Sequence, residues 1–145
     1  MGERAVNITM TGTKELQSRI RMAGAAAPRL LAASMFTEAN YIMSKSVPLV
    51  PVDTGVLRGS AVVLPPTVAG GRVQVQFGYG GAASKYALAT HENPRSGKTG
   101  GTTPSGSQRQ HYAASGQWKF LEGPASQLFP TSPTRMAVSL RTIFG

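Results

Sequence analysis

Between residues 26 and 45, Leu31, Met35, Ala39 and Ile42 recur at helical spacing and define a single apolar stripe, flanked by Phe36 and Met43. A helix with one such stripe is stable only when the stripe is buried against another element. Arg29, Thr37, Glu38 and Lys45 lie mostly off it, so the helix is expected to rest on a sheet with these four directed away from the core. The methionines on the stripe read as core filler before they read as part of a cofactor box. Pro28 falls in the first turn, where a helix tolerates proline. Pro48 and Pro51 are expected to end the helix and begin an extended segment, because residues before proline avoid the α region.

The sheet is legible in the same way. Val73, Val75, Phe77 and Tyr79 alternate with Gln74, Gln76 and Gly78, the two-residue period of a strand with one buried face. Val6, Ile8 and Met10 alternate likewise with Asn7, Thr9 and Thr11. A β-prone run from Ser60 to Leu64 is stopped by Pro65-Pro66, and Gly70-Gly71 opens the main strand. These two runs predict a hairpin with a long Pro/Gly-rich connection. Residues 13–23 predict a short helix with Leu16, Ile20 and Ala23 on one face and Glu15 in the first turn. Residues 86–90 read either as a third strand or as a short helix. Trp118, Phe120 and Leu121 are expected to return the chain to the core. Ser132-Pro133 then predicts a terminal helix with a hydroxyl cap and proline at its first position, its inner face formed by Met136, Leu140 and Ile143 or Phe144. The sum predicts one α+β domain over residues 1–145: an N-terminal strand and helices, a long helix packed on a small antiparallel sheet, a C-terminal helix and one long polar loop.

Composition narrows what such a domain can do. The chain has 145 residues, enough to bury a core without a covalent staple. It contains no cysteine, which excludes thiolate catalysis, Cys-ligated zinc and iron–sulfur clusters. No run approaches the ~18 apolar residues of a membrane span, and the polar start of the chain predicts no secretory signal. The two histidines, His91 and His111, are expected at the surface, without the His-Glu-x-x-His spacing of a zinc site. Glu3, Glu15, Glu38, Glu92 and Glu122 are scattered, with no pairing that marks an acid–base couple. Gly97-Lys98-Thr99 lacks the upstream glycine and strand of a phosphate-binding loop. The expectation is a protein with no catalytic residues, no metal and no cofactor.

Two segments remain as candidate sites. In Asp53-Thr54-Gly55 the aspartate oxygen can accept from a backbone N–H two residues on while Gly55 supplies positive φ. This predicts a structural turn between the long helix and the hairpin. Arg58, beyond it, either pairs with Asp53 or faces a neighbouring molecule. From residue 93 to 116 the chain is dominated by Gly, Ser, Thr, Gln and Pro, and Arg95, Lys98 and Arg109 are its only charges. Structureless runs above ~12–15 residues are usually functional or disordered. Arg95, Lys98, Arg109 and His111 are therefore candidate contacts to an assembly partner or to DNA.

Fifteen Lys/Arg against six Asp/Glu give a net charge of +9, although only 14% of residues are charged. A surface so poor in charge suits a subunit covered by neighbours. The excess of cations is compatible with sequence-blind, salt-dependent contact to phosphate backbones. The cations are spread along the chain, however, with no basic run and no recognition-helix signature.

The segment Pro51-Val52-Asp53-Thr54-Gly55-Val56-Leu57-Arg58-Gly59-Ser60, set after a long helix, resembles the signature of a tailed-phage family. This family is the tail-component, or neck (tail-completion), proteins of long-tailed, siphophage-type phages and prophages. The order of elements is similar too, with Tyr86-Ala87 leading to Glu92, a Gly-rich loop, and Phe120-Leu121-Glu122-Gly123-Pro124-Ala125 before a last helix. The resemblance covers roughly residues 6–145. It departs at Leu88-Ala89-Thr90-His91, where such proteins often carry another aromatic and Val, and in the longer polar loop. It implies a structural virion protein of the head–tail junction, assembled in the bacterial host cytoplasm. Such a subunit forms a homo-oligomeric ring, with sixfold symmetry favoured, and performs no catalysis. It meets head-completion or connector proteins on one side and tail-terminator or tail-tube proteins on the other, and genomic DNA passes through its channel. The alternatives are a tail terminator subunit or a basic, non-specific DNA-binding accessory protein.

Overall fold

Strand β4 (Arg72–Tyr79) is the centre of the sheet, long enough to pair along both of its edges. The structure, a computed structural model, describes residues 6–11, 27–52, 55–93 and 116–144. On one side of β4 lies β1 (Val6–Thr11), antiparallel, in a register from Val6↔Tyr79 to Thr11↔Gln74. On the other lie β2 (Ala61–Val63) and β3 (Thr67–Ala69), both antiparallel. The cross-strand pairs Val6/Tyr79, Ile8/Phe77, Met10/Val75 and Val63/Phe77 stack apolar side chains on one face. Asn7, Thr9, Thr11, Gln74 and Gln76 take the other, as the alternation predicts.

The predicted pairing of the Ser60–Leu64 run with the main strand is present, but its connection is not a plain loop. From Val63↔Phe77 to Thr67↔Gln74 the first strand advances four residues while β4 advances three. The extra residue falls at Pro65-Pro66 and makes a bulge, where missing N–H groups break no ladder bond. The chain then resumes pairing as β3 and turns into β4 through Gly70-Gly71, a two-residue turn with φ of 56° and 71°.

Helix α1 (Ala27–Ser46) covers the apolar face of the sheet, with Leu31, Met35, Ala39 and Ile42 buried as predicted. Phe36, expected to flank the stripe, is 36% exposed. The prolines do not break the helix abruptly. Pro48 sits in the first positions of a 3₁₀ turn, Val47–Leu49, that tightens the helix end, and extended backbone begins only at Val50 with ψ 126°. After a single helical turn, α2 (Val56–Gly59), and the hairpin, residues 84–92 form α3 (Ser84–Glu92), so the strand-or-helix alternative resolves as helix. Helix α4 (Glu122–Leu128), which the residue pattern did not predict, runs through a 3₁₀ turn, Phe129–Thr131, into α5 (Ser132–Phe144). The helix expected over residues 13–23 lies outside the described residues.

Two expectations about α5 and its partner are corrected. Glu38, expected away from the core, is buried at 4% exposure where α1 meets α5. Its carboxylate accepts from the Ser132 hydroxyl and from the Arg135 guanidinium, which also donates to the Leu128 carbonyl at 2.8 Å. Ser132 is therefore not a cap. Its backbone is already helical, at φ −55° and ψ −44°, and its hydroxyl points inward because Glu38 needs a donor there. Met136 and Leu140 face inward as predicted. The Ser34 hydroxyl adds a bond to the Met136 carbonyl at 3.3 Å.

The fold is α+β, as the order of elements predicts, with α1 on the small antiparallel sheet and α4 and α5 packed on α1. Phe77, Tyr79, Phe120 and Leu121 are essentially fully buried with the α1 stripe. Each such side chain contributes about 1.5–3 kcal/mol on burial. No described helix is long and apolar enough to cross a membrane.

Candidate functional site

The turn after α1 is built as a joint. Gly55 has φ 82°, the left-handed conformation predicted for it. Leu57 is buried and anchors α2. Arg58 reaches back and donates from Nη2 to the carbonyls of Val50 at 2.9 Å and Pro48 at 3.3 Å. It thus ties the chain leaving the joint to the chain entering it. Its partners among the described residues are main-chain carbonyls, a third possibility beside the two expected. Asp53 and Thr54 lie outside the described residues.

The far flank of the polar loop returns to this same joint. Gly116 has φ 121° and lies so close to Pro51 that a Cβ there would stand 2.6 Å from the Pro51 Cα. The next residue, Gln117, donates its N–H to the Leu49 carbonyl at 2.8 Å. Nothing in the spacing of the sequence linked residues 49–51 to residues 116–117. Arg95, Lys98, Arg109 and His111 lie outside the described residues.

The two flanks of the loop also meet each other. The Lys119 N–H donates to the His91 carbonyl at 2.8 Å. The Lys119 ammonium lies 2.8 Å from a Glu92 oxygen and 2.6 Å from a Glu122 oxygen. His91 Nδ1 stands 2.6 Å from Glu92, and the Glu122 N–H donates to His91 Nε2 at 3.3 Å. A backbone N–H can only donate, so Nε2 accepts and Nδ1 carries the proton given to Glu92. Lys119, then His91, hold the Glu92 carboxyl below the usual carboxylate range. Glu122, then Glu92, raise the Lys119 ammonium in turn.

Beneath this cluster the packing is aromatic. The Phe120 ring meets Tyr79 edge-on at 5.1 Å and His91 edge-on at 4.9 Å. The Phe120 carbonyl accepts from the Ser46 hydroxyl at 2.7 Å, and Ser46 in turn accepts from the Tyr79 phenol at 2.7 Å. Burial pushes the Tyr79 phenol up to about 12, against smaller opposing effects of Ser46 and Arg58. His91, expected at the surface, is thus a buried residue at 4% exposure. Trp118, expected in the core, is 41% exposed and lies beside the Lys119 ammonium, 5.8 Å from its ring centre. The fold spends its inward positions on Phe120 and Leu121 instead.

Comparison with protein-family models, with curated proteins and with solved structures finds no match to this chain. The cluster is therefore read on its own chemistry. His91, Glu92 and Glu122 bring one potential ligand atom each to within 4.8 Å of one another. Both imidazole nitrogens are already engaged, and an ammonium already bridges the two carboxylates. A metal ion would have to displace Lys119 and strip His91 of the Glu122 N–H. The trio holds the chain's own lysine, and the arrangement acts as a clamp. Glu92 and Glu122 are thus not scattered as their positions in the sequence implied, because Lys119 joins them. Only its i,i+3 half, Lys119 and Glu122, left a local signal in the sequence.

Proposed function

We propose that this protein is a structural subunit of the head–tail junction of a long-tailed phage or prophage, a neck or tail-completion protein that assembles into a ring and performs no catalysis. One observation carries the reading. In the segment that resembles the family signature, Gly55, Leu57 and Arg58 build the joint after α1, and the polar loop's far flank is laid on Leu49 and Pro51 beside it. Among its described residues, Gly55, Leu57 and Arg58 act through backbone conformation, burial and main-chain hydrogen bonds, which reads as architecture. The loop sequence with Arg95, Lys98, Arg109 and His111 then has a fixed base from which to meet a neighbour.

The composition supports the same reading. Of the carboxylates described, Glu38 is paired with Arg135, and Glu92 and Glu122 share the single Lys119 ammonium. The outward-facing side of the sheet carries Asn7, Thr9, Thr11 and Gln76 beside Val62 and Leu64. Such a surface is poor in solubilising charge and suits coverage by sister copies and adjoining rings. Head-completion or connector proteins would cover one axial side and tail-terminator or tail-tube proteins the other. The cationic excess is compatible with DNA in the channel.

The test is removal of the gene from the phage or prophage that carries it. The reading expects lysates with DNA-filled heads and tails of normal length that are not joined, and purified protein should restore joining. Complete virions in the gene's absence would contradict it. Tails of irregular length would favour a terminator subunit instead.

A further inference from the structure

Lys119 is the one non-glycine residue at positive φ among the described residues, at φ 54°. Glycine adopts this conformation at no steric cost, and a lysine there is strained. The backbone there favours glycine, so what lysine adds over glycine at this position is its side chain. Its ammonium bridges Glu92, at the end of α3, to Glu122, at the start of α4, and lies 5.8 Å from the Trp118 ring centre. The same residue's N–H holds the His91 carbonyl. Residue 119 therefore grips the outgoing flank of the 94–115 segment with backbone and side chain together.

We propose that Lys119 is a positioning residue, a tether that fixes the two flanks of the polar loop against each other and so sets where the loop leaves the domain for its contact in the assembled ring. The proposal rests on the neck reading for its role in joining; the tether itself stands on geometry alone. Single exposed ion pairs contribute little to stability, and Lys119 is not needed to hold the core together. Phe120 and Leu121 beside it are buried in their own right. What the ammonium adds is location. It sits between two carboxylates that would otherwise repel each other, and it keeps Glu92 on His91, whose other nitrogen is already committed to the Glu122 N–H.

Three variants test this: Lys119→Met removes the ammonium and keeps the stem, Lys119→Gly removes it and also relieves the strained φ, and Lys119→Arg keeps the charge. Amide hydrogen exchange in the full-length protein is read at residue 119 and, as an internal control, at Val75 and Phe77 in β4. Exchange at residue 119 should rise about tenfold or more in the Met and Gly variants and stay near wild type in the Arg variant, with the β4 amides unchanged. In lysates lacking the gene, the Met and Gly variants should restore head–tail joining about tenfold less well than wild type, and Arg should recover it. Unchanged exchange at residue 119 in both charge-removing variants overturns the tether. Raised exchange with undiminished joining overturns its positioning role. Should wild-type protein itself fail to restore joining, the neck reading fails and the joining role with it, while the exchange data still decide the tether.

Discussion

Ser46 shows how much one small buried side chain can hold. Its hydroxyl accepts from Tyr79 and donates to the Phe120 carbonyl, so Ser46→Ala orphans two buried groups at once. A cost of about 2–4 kcal/mol is expected, against about 1 kcal/mol for Tyr79→Phe, which leaves Ser46 still bonded to Phe120; thermal or urea unfolding measures both. Tyr79 also predicts an alkaline limit. Its phenol is raised to about 12 in the fold and titrates near 10 when unfolded. The unfolded chain therefore loses this proton first. Stability is fully present below pH 10 and falls by about 2–3 kcal/mol as pH rises from 10 through 12. Tyr79→Phe should abolish that part of the loss. Gly55→Val tests the joint: among the described residues no atom beyond its chain neighbours stands within 4 Å of a Cβ there, so the penalty comes from the φ of 82°, about 1–3 kcal/mol. An unchanged unfolding temperature would contradict the turn geometry. At this scale the sequence was readable where a residue's role was local, as at Gly55. It misled at Glu38, His91 and Trp118, because the default burial of a residue type cannot anticipate a partner far away in the chain.

The elements divide in the same manner. Helix α1 and strand β4 were legible because their periods, 3.6 and 2, are written in consecutive residues. Helix α4 was not, since Glu122 to Leu128 includes Gly123 and Pro124 and carries no apolar stripe. The start of α5 was misread because the 3₁₀ turn before it runs on in helical backbone, which leaves Ser132 no free N-terminus to cap. What docks α5 on α1 is a buried polar group as well as apolar burial, and this gives a prediction of its own. Glu38→Ala leaves Arg135 and Ser132 without their shared acceptor and should destabilise the protein by about 3 kcal/mol. Amide exchange should rise first in α5, before β4. Uniform destabilisation across both elements would mean that the Glu38 cluster is not the local anchor.

At the scale of the molecule, the polar loop is bracketed by a near flank, the end of α3, and a far flank that is fixed twice, through Lys119 to His91 and Glu92 and through Gly116 and Gln117 to Pro51 and Leu49. That bracketing was invisible in the sequence, which gave the loop's composition and no information on its ends. It leads to a prediction that separates fold from assembly. Deleting residues 95–110 should leave cooperative unfolding near wild type, since the clamp and the joint lie outside the deletion, yet block the joining of heads to tails. Wild-type infectivity with that deletion would remove the loop from the account. The central claim, that the protein is a building block of the virion neck, is met most directly by cryo-EM of the head–tail junction in purified particles from the phage or prophage that encodes it. The account predicts a ring of identical copies around the channel, each with α1 on its four-stranded sheet and the polar loop directed at a neighbouring subunit; particles with a complete neck and no density for this chain would contradict it.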